Sequence, residues 1–350
     1  NRDGLPLFKQ IKVEHISPAI NSILKENKKL LKKIEAEKIK PNWNNFVLPI
    51  QQSNEKLSRV WSQINHLNAV VNNEELRLIY NKNLTKVTKY HSELSQNKLI
   101  YKKFKKIKLS KNFSKLSGPQ KKIINDEILS FELGGVALNK NKQIEFKKIV
   151  SKLSKLSSNF EENLLDSVNN YSLLIKDKRK LNGIPKDVLT KAKLDAKKRK
   201  ENGWCFTLDF PSYLPLMQFA DDRSLRKDIY YAYATKASEL GDSTTDNTSN
   251  INQILTYKKT LASLLGFSDY ASMALKTKMA KSSNEVIKFL ESLSSKAKPF
   301  AKKDMIDIKK YGKKINIKQV EAWDIAYISE KIKEERFNYS DQEIKNYFPD

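Results

Sequence analysis

Apolar residues recur at intervals of three and four along most of the chain, the spacing that gathers them on one face of an α-helix. The first stripe holds Ile20, Ile23, Leu24, Leu31 and Ile34. It follows Ser17-Pro18, a pair that reads as an N-cap with proline at the first helical position. A second stripe carries Leu57, Val60, Trp61, Ile64 and Leu67, and a third Leu76, Tyr80, Leu84, Val87, His91 and Leu94. Gly118-Pro119 opens a fourth helix around Ile124, Ile128 and Leu129, which Gly134-Gly135 closes. A long fifth helix carries Ile149, Leu153, Leu156, Phe160, Leu164 and Val168. Helices this close in sequence are expected to pack as an antiparallel array.

The pattern changes near residue 180. Asn182-Gly183-Ile184-Pro185 reads as a turn, and Asp187 to Lys200 as a basic, weakly apolar helix on the surface. Trp204, Phe206, Leu208 and Phe210 then alternate with Cys205, Thr207 and Asp209, a period of two that predicts a strand ended by Pro211 and Pro215. Helical spacing returns at Leu225, Ile229, Tyr230 and Tyr233. After the polar loop Gly241–Asn250, it continues at Ile254, Leu261, Leu264 and Leu265, capped by Gly266. Ser283 and Glu285 open a last helix through Val286, Phe289, Leu290 and Leu293. The expectation is an all-α fold with a small β element near 203–210. A helical domain at 1–180 is followed by a second domain at 205–350.

Composition narrows the function. The 350 residues are 39% hydrophobic and 30% charged, enough for a sizeable core and about two domains. No apolar run approaches the ~20 residues that a membrane-spanning helix needs, so no membrane partner is expected. The net charge of +26 suggests a polyanion, but only eight of the 66 basic residues are arginine. Arginine suits bidentate phosphate and base contacts, whereas lysine is a hydrated point charge. Clusters such as Lys102-Lys103-Phe104-Lys105-Lys106 and Lys197-Lys198-Arg199-Lys200 therefore read as solvated faces, with weak, non-specific nucleic-acid binding at most. A single cysteine excludes an internal disulfide and fits a reducing compartment. The chain starts at Asn1, so its start is expected to be trimmed, and Asn1–Gln10 has no apolar signal core. Cytoplasm is the expected location.

The residues hold no complete catalytic apparatus. His15, His66 and His91 have no histidine four positions away, so no helix face presents the paired imidazoles of a zinc site. His91 and His66 read as packed core histidines and His15 as a turn residue. Cys205 lies in the expected strand without a nearby base and reads as structural. Glu161-Glu162 and Asp221-Asp222 read as helix-end or solvated carboxylates. No catalytic, cofactor-binding or metal-ligating residue is assigned. The segment Trp204–Phe219 and the crowded Tyr230, Tyr231 and Tyr233 read either as core or as the aromatic wall of a peptide channel.

At those segments the sequence resembles the oligopeptidase A and thimet-oligopeptidase group of M3 zinc metallopeptidases, and within it the bacterial oligopeptidase A branch. The similar stretches are Ser62–Asn72, Phe131–Leu138, Leu208–Met217, Leu225–Thr235, Leu264–Ala271, Trp323–Tyr327 and Tyr347-Phe348-Pro349. They lie in register from near residue 5 to the end. The resemblance implies a two-lobed helical fold with a deep channel for short peptides. It also implies one catalytic zinc, held in the second half of a protein about twice this length, with no ligand among these residues. It makes 205–350 the first part of the catalytic domain, without its zinc-binding part. The chain alone is then expected to hold no catalytic zinc, to be inactive, and to expose an apolar face where the absent C-terminal half would pack. Two readings stand beside this one: a truncated or split, non-catalytic peptide-binding chain, and a basic helical nucleic-acid-binding protein.

Overall fold

The computed structural model describes residues 5–36, 38–338 and 347. Asn1–Gly4 and the closing Phe348-Pro349 lie outside the described residues. In chain order the helices and strands are α1 (Val13–Ala36), α2 (Leu48–Val70), α3 (Glu74–Ser95), α4 (Lys98–Lys108), α5 (Gly118–Leu133), α6 (Lys140–Asn170), β1 (Leu173–Ile175), α7 (Lys186–Lys198), β2 (Trp204–Phe206), α8 (Phe210–Phe219), α9 (Arg223–Ala234), α10 (Thr248–Leu264), α11 (Tyr270–Leu275), α12 (Ser283–Lys314) and α13 (Ile325–Phe337). The fold is mainly helical, with one two-stranded sheet among the described residues. Two compact units divide it: residues 1–159 with 250–283, and residues 160–249 with 284–350.

The first unit is built on the expected stripes. Ile16, Ile20, Ile23 and Leu24 of α1 pack with Leu57 and Ile64 of α2 and with Leu76, Tyr80, Val87 and Tyr90 of α3. A second cluster joins Ile100, Phe104 and Ile107 of α4 to Ile124, Ile128 and Phe131 of α5, with Phe46 edge-on to Phe104 at 4.8 Å between ring centroids. Burying each such side chain contributes about 1.5–3 kcal/mol. Asparagine and serine end the helices: Asn73 Oδ1 accepts from the Leu76 N–H at 2.8 Å, and Ser117 and Gln120 form a capping box on α5. The lysine cluster at 102–106 is the outer face of α4, whose inner face is fully buried.

Ser17 is not an N-cap. Helix α1 begins at Val13, and Pro18 stands inside it. Ile16 falls on the same buried face as Ile20, so burial recruits the earlier turn and offsets the one ladder donor that proline lacks. The Ser17 hydroxyl instead accepts from Asn83 Nδ2 at 2.8 Å.

In the second unit, β1 pairs antiparallel with β2 in the register Leu173↔Phe206, Leu174↔Cys205 and Ile175↔Trp204. The strand is three residues long and does not extend to 210. Asp209 is the N-cap position of α8, Pro211 occupies its first turn where no N–H is needed, and Pro215 lies within it. Gly203 sits at φ +136°, where an added Cβ would lie 2.5 Å from the Ile175 carbonyl oxygen, so only glycine lets the strands meet there. Helix α7 is not wholly a surface element, since Val188, Ala192 and Ala196 bury an i, i+4 stripe. The core gathers Phe206, Leu208, Leu216, Met217, Leu225 and Ile229.

Candidate functional site

The most elaborate side-chain arrangement in the second unit lies between α9 and the turn that starts α13. Arg226 and Asp324 are 1% and 0% exposed. Arg226 Nη2 donates to Asp324 Oδ1 at 2.9 Å, and its Nη1 donates to the Ala220 carbonyl at 2.6 Å. Arg223 approaches the same carboxylate from the solvent side, its Nε donating to Oδ1 at 2.9 Å and its Nη2 to Oδ2 at 2.7 Å. Asp324 Oδ2 also accepts from the Glu321 N–H at 3.0 Å and so closes its own turn. Burial pushes the Asp324 carboxyl up, but the hydrogen bonds from Arg223, the Glu321 N–H and Arg226 outweigh it and hold the group below the usual carboxylate range. The Arg226 guanidinium lies 4.1 Å from the Tyr327 ring. Tyr327 donates to Asp221 Oδ1 at 2.9 Å, and burial together with this bond pushes the phenol up to about 12.

This knot holds an aromatic ledge. Tyr213 stacks on Tyr233 at 3.9 Å, and Trp323 lies 6.0 Å from Tyr230 and 5.9 Å from Tyr231. Tyr231 is 52% exposed, and the Lys227 ammonium stands 5.5 Å from the Trp323 ring and 6.0 Å from Tyr231. Lys236 covers Tyr233 at 3.3 Å. Tyr213, Tyr230, Tyr233 and Trp323 pack on the core, and Tyr231 forms the outer edge, facing solvent beside cations. Such a ledge can take apolar and aromatic side chains, and its lysines favour a carboxylate.

The residues singled out in the sequence are dispersed. His15, on α1, accepts the Lys12 N–H at Nδ1, and His66, on α2, is exposed rather than packed in the core and lies 5.1 Å from Phe8. His91, on α3, is exposed rather than packed in the core, and borders a cleft of about 830 Å³ in the first unit with Asn54, Glu127, Phe146, Lys258 and Tyr270. Partial desolvation there pushes His91 down and Glu127 up. Cys205 is buried in β2, and burial pushes its thiol up, away from nucleophilic character. Asp222 is the N-cap of α9, accepting from the Leu225 N–H at 3.0 Å, while Asp221 accepts from Tyr327. The sequence reading missed the Arg226–Asp324 pair. One available signal was an arginine on the apolar stripe between Leu225 and Ile229 in a chain that otherwise uses lysine.

Comparison with known proteins gives these observations a family. Residues 20–143 match the N-terminal domain of the neurolysin and thimet oligopeptidase group, and residues 216–349 match peptidase family M3. Apart from Tyr213, the ledge and knot fall in the second match, and the fold and the matches together define a helical peptidase architecture. The chain belongs to peptidase family M3. It is 38% identical over 355 residues to oligopeptidase A of Haemophilus influenzae, covering 100% of this chain and 52% of that protein. Identity is 34% over 349 residues to oligopeptidase A of Escherichia coli, 99% and 51% of the two chains. It is 35% over 353 residues to the probable cytosolic oligopeptidase A of Arabidopsis thaliana, 98% and 50%. The chain spans about half the length of the curated relatives it matches.

Zinc, which the family resemblance implies, is not accommodated by the described residues. Among the described residues no group of three or more His, Cys, Asp or Glu side chains could hold a metal ion. The three histidines sit on three helices of the first unit, and Cys205 is in the second.

Proposed function

We propose that this chain is the N-terminal portion of a zinc-dependent oligopeptidase that hydrolyses short peptides. Residues 1–180 form the helical N-terminal domain and 205–350 the first part of the catalytic domain. One observation carries the reading: 34–38% identity to oligopeptidase A runs along essentially the whole chain while reaching only about half of each bacterial relative. The two family matches, at 20–143 and 216–349, fall on either side of the proposed boundary.

In this reading the chain's own residues bind and position rather than react. The ledge of Tyr231, Trp323 and Lys227 contacts peptide. The Arg226–Asp324 pair fixes that ledge by joining α9 to the turn at 321–324. The zinc belongs to residues beyond these 350. Location is assigned to the cytoplasm, supported by the buried free thiol and by the cytosolic setting in the name of the Arabidopsis relative.

The test is complementation. Residues 1–350 are mixed with the separately produced C-terminal half of the Haemophilus influenzae enzyme, and cleavage of a quenched short peptide is followed with and without chelator. Both halves of that enzyme serve as the positive control. Chelator-sensitive hydrolysis by the mixture, with none from residues 1–350 alone, is the expected result. Stoichiometric zinc and turnover by residues 1–350 alone overturns it, as does an inactive mixture beside an active control.

A further inference from the structure

The cleft of about 830 Å³ in the first unit is the size of a small-molecule site, and its lining is chemically uneven. Its residues come from α2, α3, α5, α6, α10 and α11, all within 1–159 and 250–283. Leu94, Leu133, Val150 and Leu153 line it half-buried, so each leaves apolar surface for a ligand to cover.

Where α2 meets α5, two polar groups lack a donor. Gln51 Nε2 donates to Glu127 Oε1 at 2.7 Å, and the second carboxylate oxygen has no protein partner among the described residues. Glu127 is half-buried and is the one carboxylate among the described lining residues, in a chain of net charge +26. Burial pushes its carboxyl up, the direction expected where no counter-charge stands beside it. Asn54 follows Gln51 by one turn on the same face of α2, and its Oδ1 is buried without a hydrogen bond. No protein hydrogen bond pins that amide among the described residues, so it can turn its oxygen to a donor in the cleft. The basic residues of the lining do not serve these acceptors. The Lys258 ammonium lies 4.9 Å from the centre of the Tyr270 ring, and His91, pushed down by desolvation, is neutral at pH 7.

We propose that this cleft binds a primary ammonium group carried on an apolar or aromatic body. Glu127 and Asn54 accept the ammonium protons in charge-assisted hydrogen bonds, and the leucine and valine wall covers the body. A hard metal ion fits less well, because it takes several oxygen ligands and the lining offers a single carboxylate among the described residues. The site lies in the first unit and does not depend on the peptidase reading, whose aromatic ledge belongs to the second.

The experiment titrates residues 1–350 calorimetrically with tryptamine, with its neutral analogue tryptophol and with anionic indolepropionate. Three variants are compared with the parent: Glu127→Gln, which keeps the shape of the side chain, Asn54→Leu, and Glu132→Gln as an exposed control of equal charge change on the same helix. Urea midpoints establish that each variant folds, and Asn54→Leu should lose no stability because it removes an unsatisfied group. The parent and Glu132→Gln are expected to bind tryptamine at least tenfold more tightly than tryptophol. Glu127→Gln should erase that preference, which a merely structural role for Glu127 would leave in place, and Asn54→Leu should weaken tryptamine binding about threefold. Trp-Leu amide and its N-acetyl form separate the two sources of such an ammonium. Tighter binding of the unacetylated dipeptide than of tryptamine supports the site with a peptide amino terminus as its ligand, and the reverse supports it with a free amine. Undiminished tryptamine binding by Glu127→Gln or by Asn54→Leu, equal or tighter binding of indolepropionate, or no saturable binding of any probe overturns the proposal.

Discussion

The two units of this chain are stabilised differently, and the difference explains which of their features a sequence shows. The first buries apolar stripes: Ile20, Leu57, Tyr80 and Ile124 come from helices whose spacing announces them, while Phe104 comes from α4, whose lysines had masked its buried face. The second has an apolar core too, but at its edge Arg226 and Asp324 are buried as a pair that Arg223 closes from the solvent side, and the aromatic ledge rests on that pair. Apolar burial is non-directional and degrades gradually. A buried ion pair is intolerant, because removing one partner strands the other charge without solvent.

The sharpest way to break the comparison is to remove one charge. Asp324→Ala should cost the second unit about 3–5 kcal/mol by leaving Arg226 buried and unpaired. Arg226→Met combined with Asp324→Leu should recover most of that loss, since an apolar pair of similar volume needs no counter-charge. Phe104→Ala should cost the first unit a similar amount, about 3–5 kcal/mol, but through a cavity that no second charge change can repair. Urea unfolding followed by tryptophan fluorescence separates the two cases, because Trp43 and Trp61 lie in the first unit and Trp204 and Trp323 in the second. Equal recovery in both units, or none in either, would dissolve the distinction.

A middle-sized effect is expected at Gly183, whose φ of +82° and missing Cβ accommodate the Phe219 carbonyl oxygen, 2.1 Å from where that carbon would stand. Gly183→Ala should destabilise the second unit by about 1–3 kcal/mol, which a shift in its urea midpoint would register. The pH response should also differ between the units. Asp324 is held below its unfolded value, so its contribution is present above about pH 4 and is lost as pH falls through the folded value. His91 is likewise depressed, but it starts from about 6.5, so the first unit should begin to lose stability as pH falls below that point. Acid titration of wild type, Asp324→Asn and His91→Gln should show the early phase vanish in the histidine variant only.

The smallest effect is expected on the basic surface. Lys102→Gln with Lys106→Gln should change stability by less than about 0.5 kcal/mol, because both side chains lie on the solvated face of α4. Filter-binding to a random oligonucleotide should be weak in the parent and fall steeply with added salt. Tight, sequence-selective binding at physiological salt would instead favour a nucleic-acid role.

Most of the fold was legible because helical periodicity is local: Ile20 and Ile23 reveal their helix without knowledge of what packs on it. Legibility ended where partners lie far apart in sequence. The period-two run at 204–210 was visible, yet its partner Leu173–Ile175 was not, and pairing ends at Phe206 where Asp209 and Pro211 turn the chain into α8. Pro18 misled for the opposite reason, since a local start signal was overruled by burial of Ile16. At the candidate site, the aromatic residues Tyr230, Tyr231 and Tyr233 stood out by composition. Asp324 did not, because nothing in Trp323-Asp324-Ile325 signals an arginine 98 positions earlier.

Cys205 gives the chain a built-in clock. It is the only thiol in the sequence, it is buried in β2, and burial disfavours its reactive thiolate. A thiol reagent can therefore modify the native protein only as fast as the sheet of the second unit opens, and modification reports that opening alone because the first unit holds no cysteine. Reaction rates across pH, denaturant or added partner thus become a direct reading of local breathing in one half of the fold, with no label introduced.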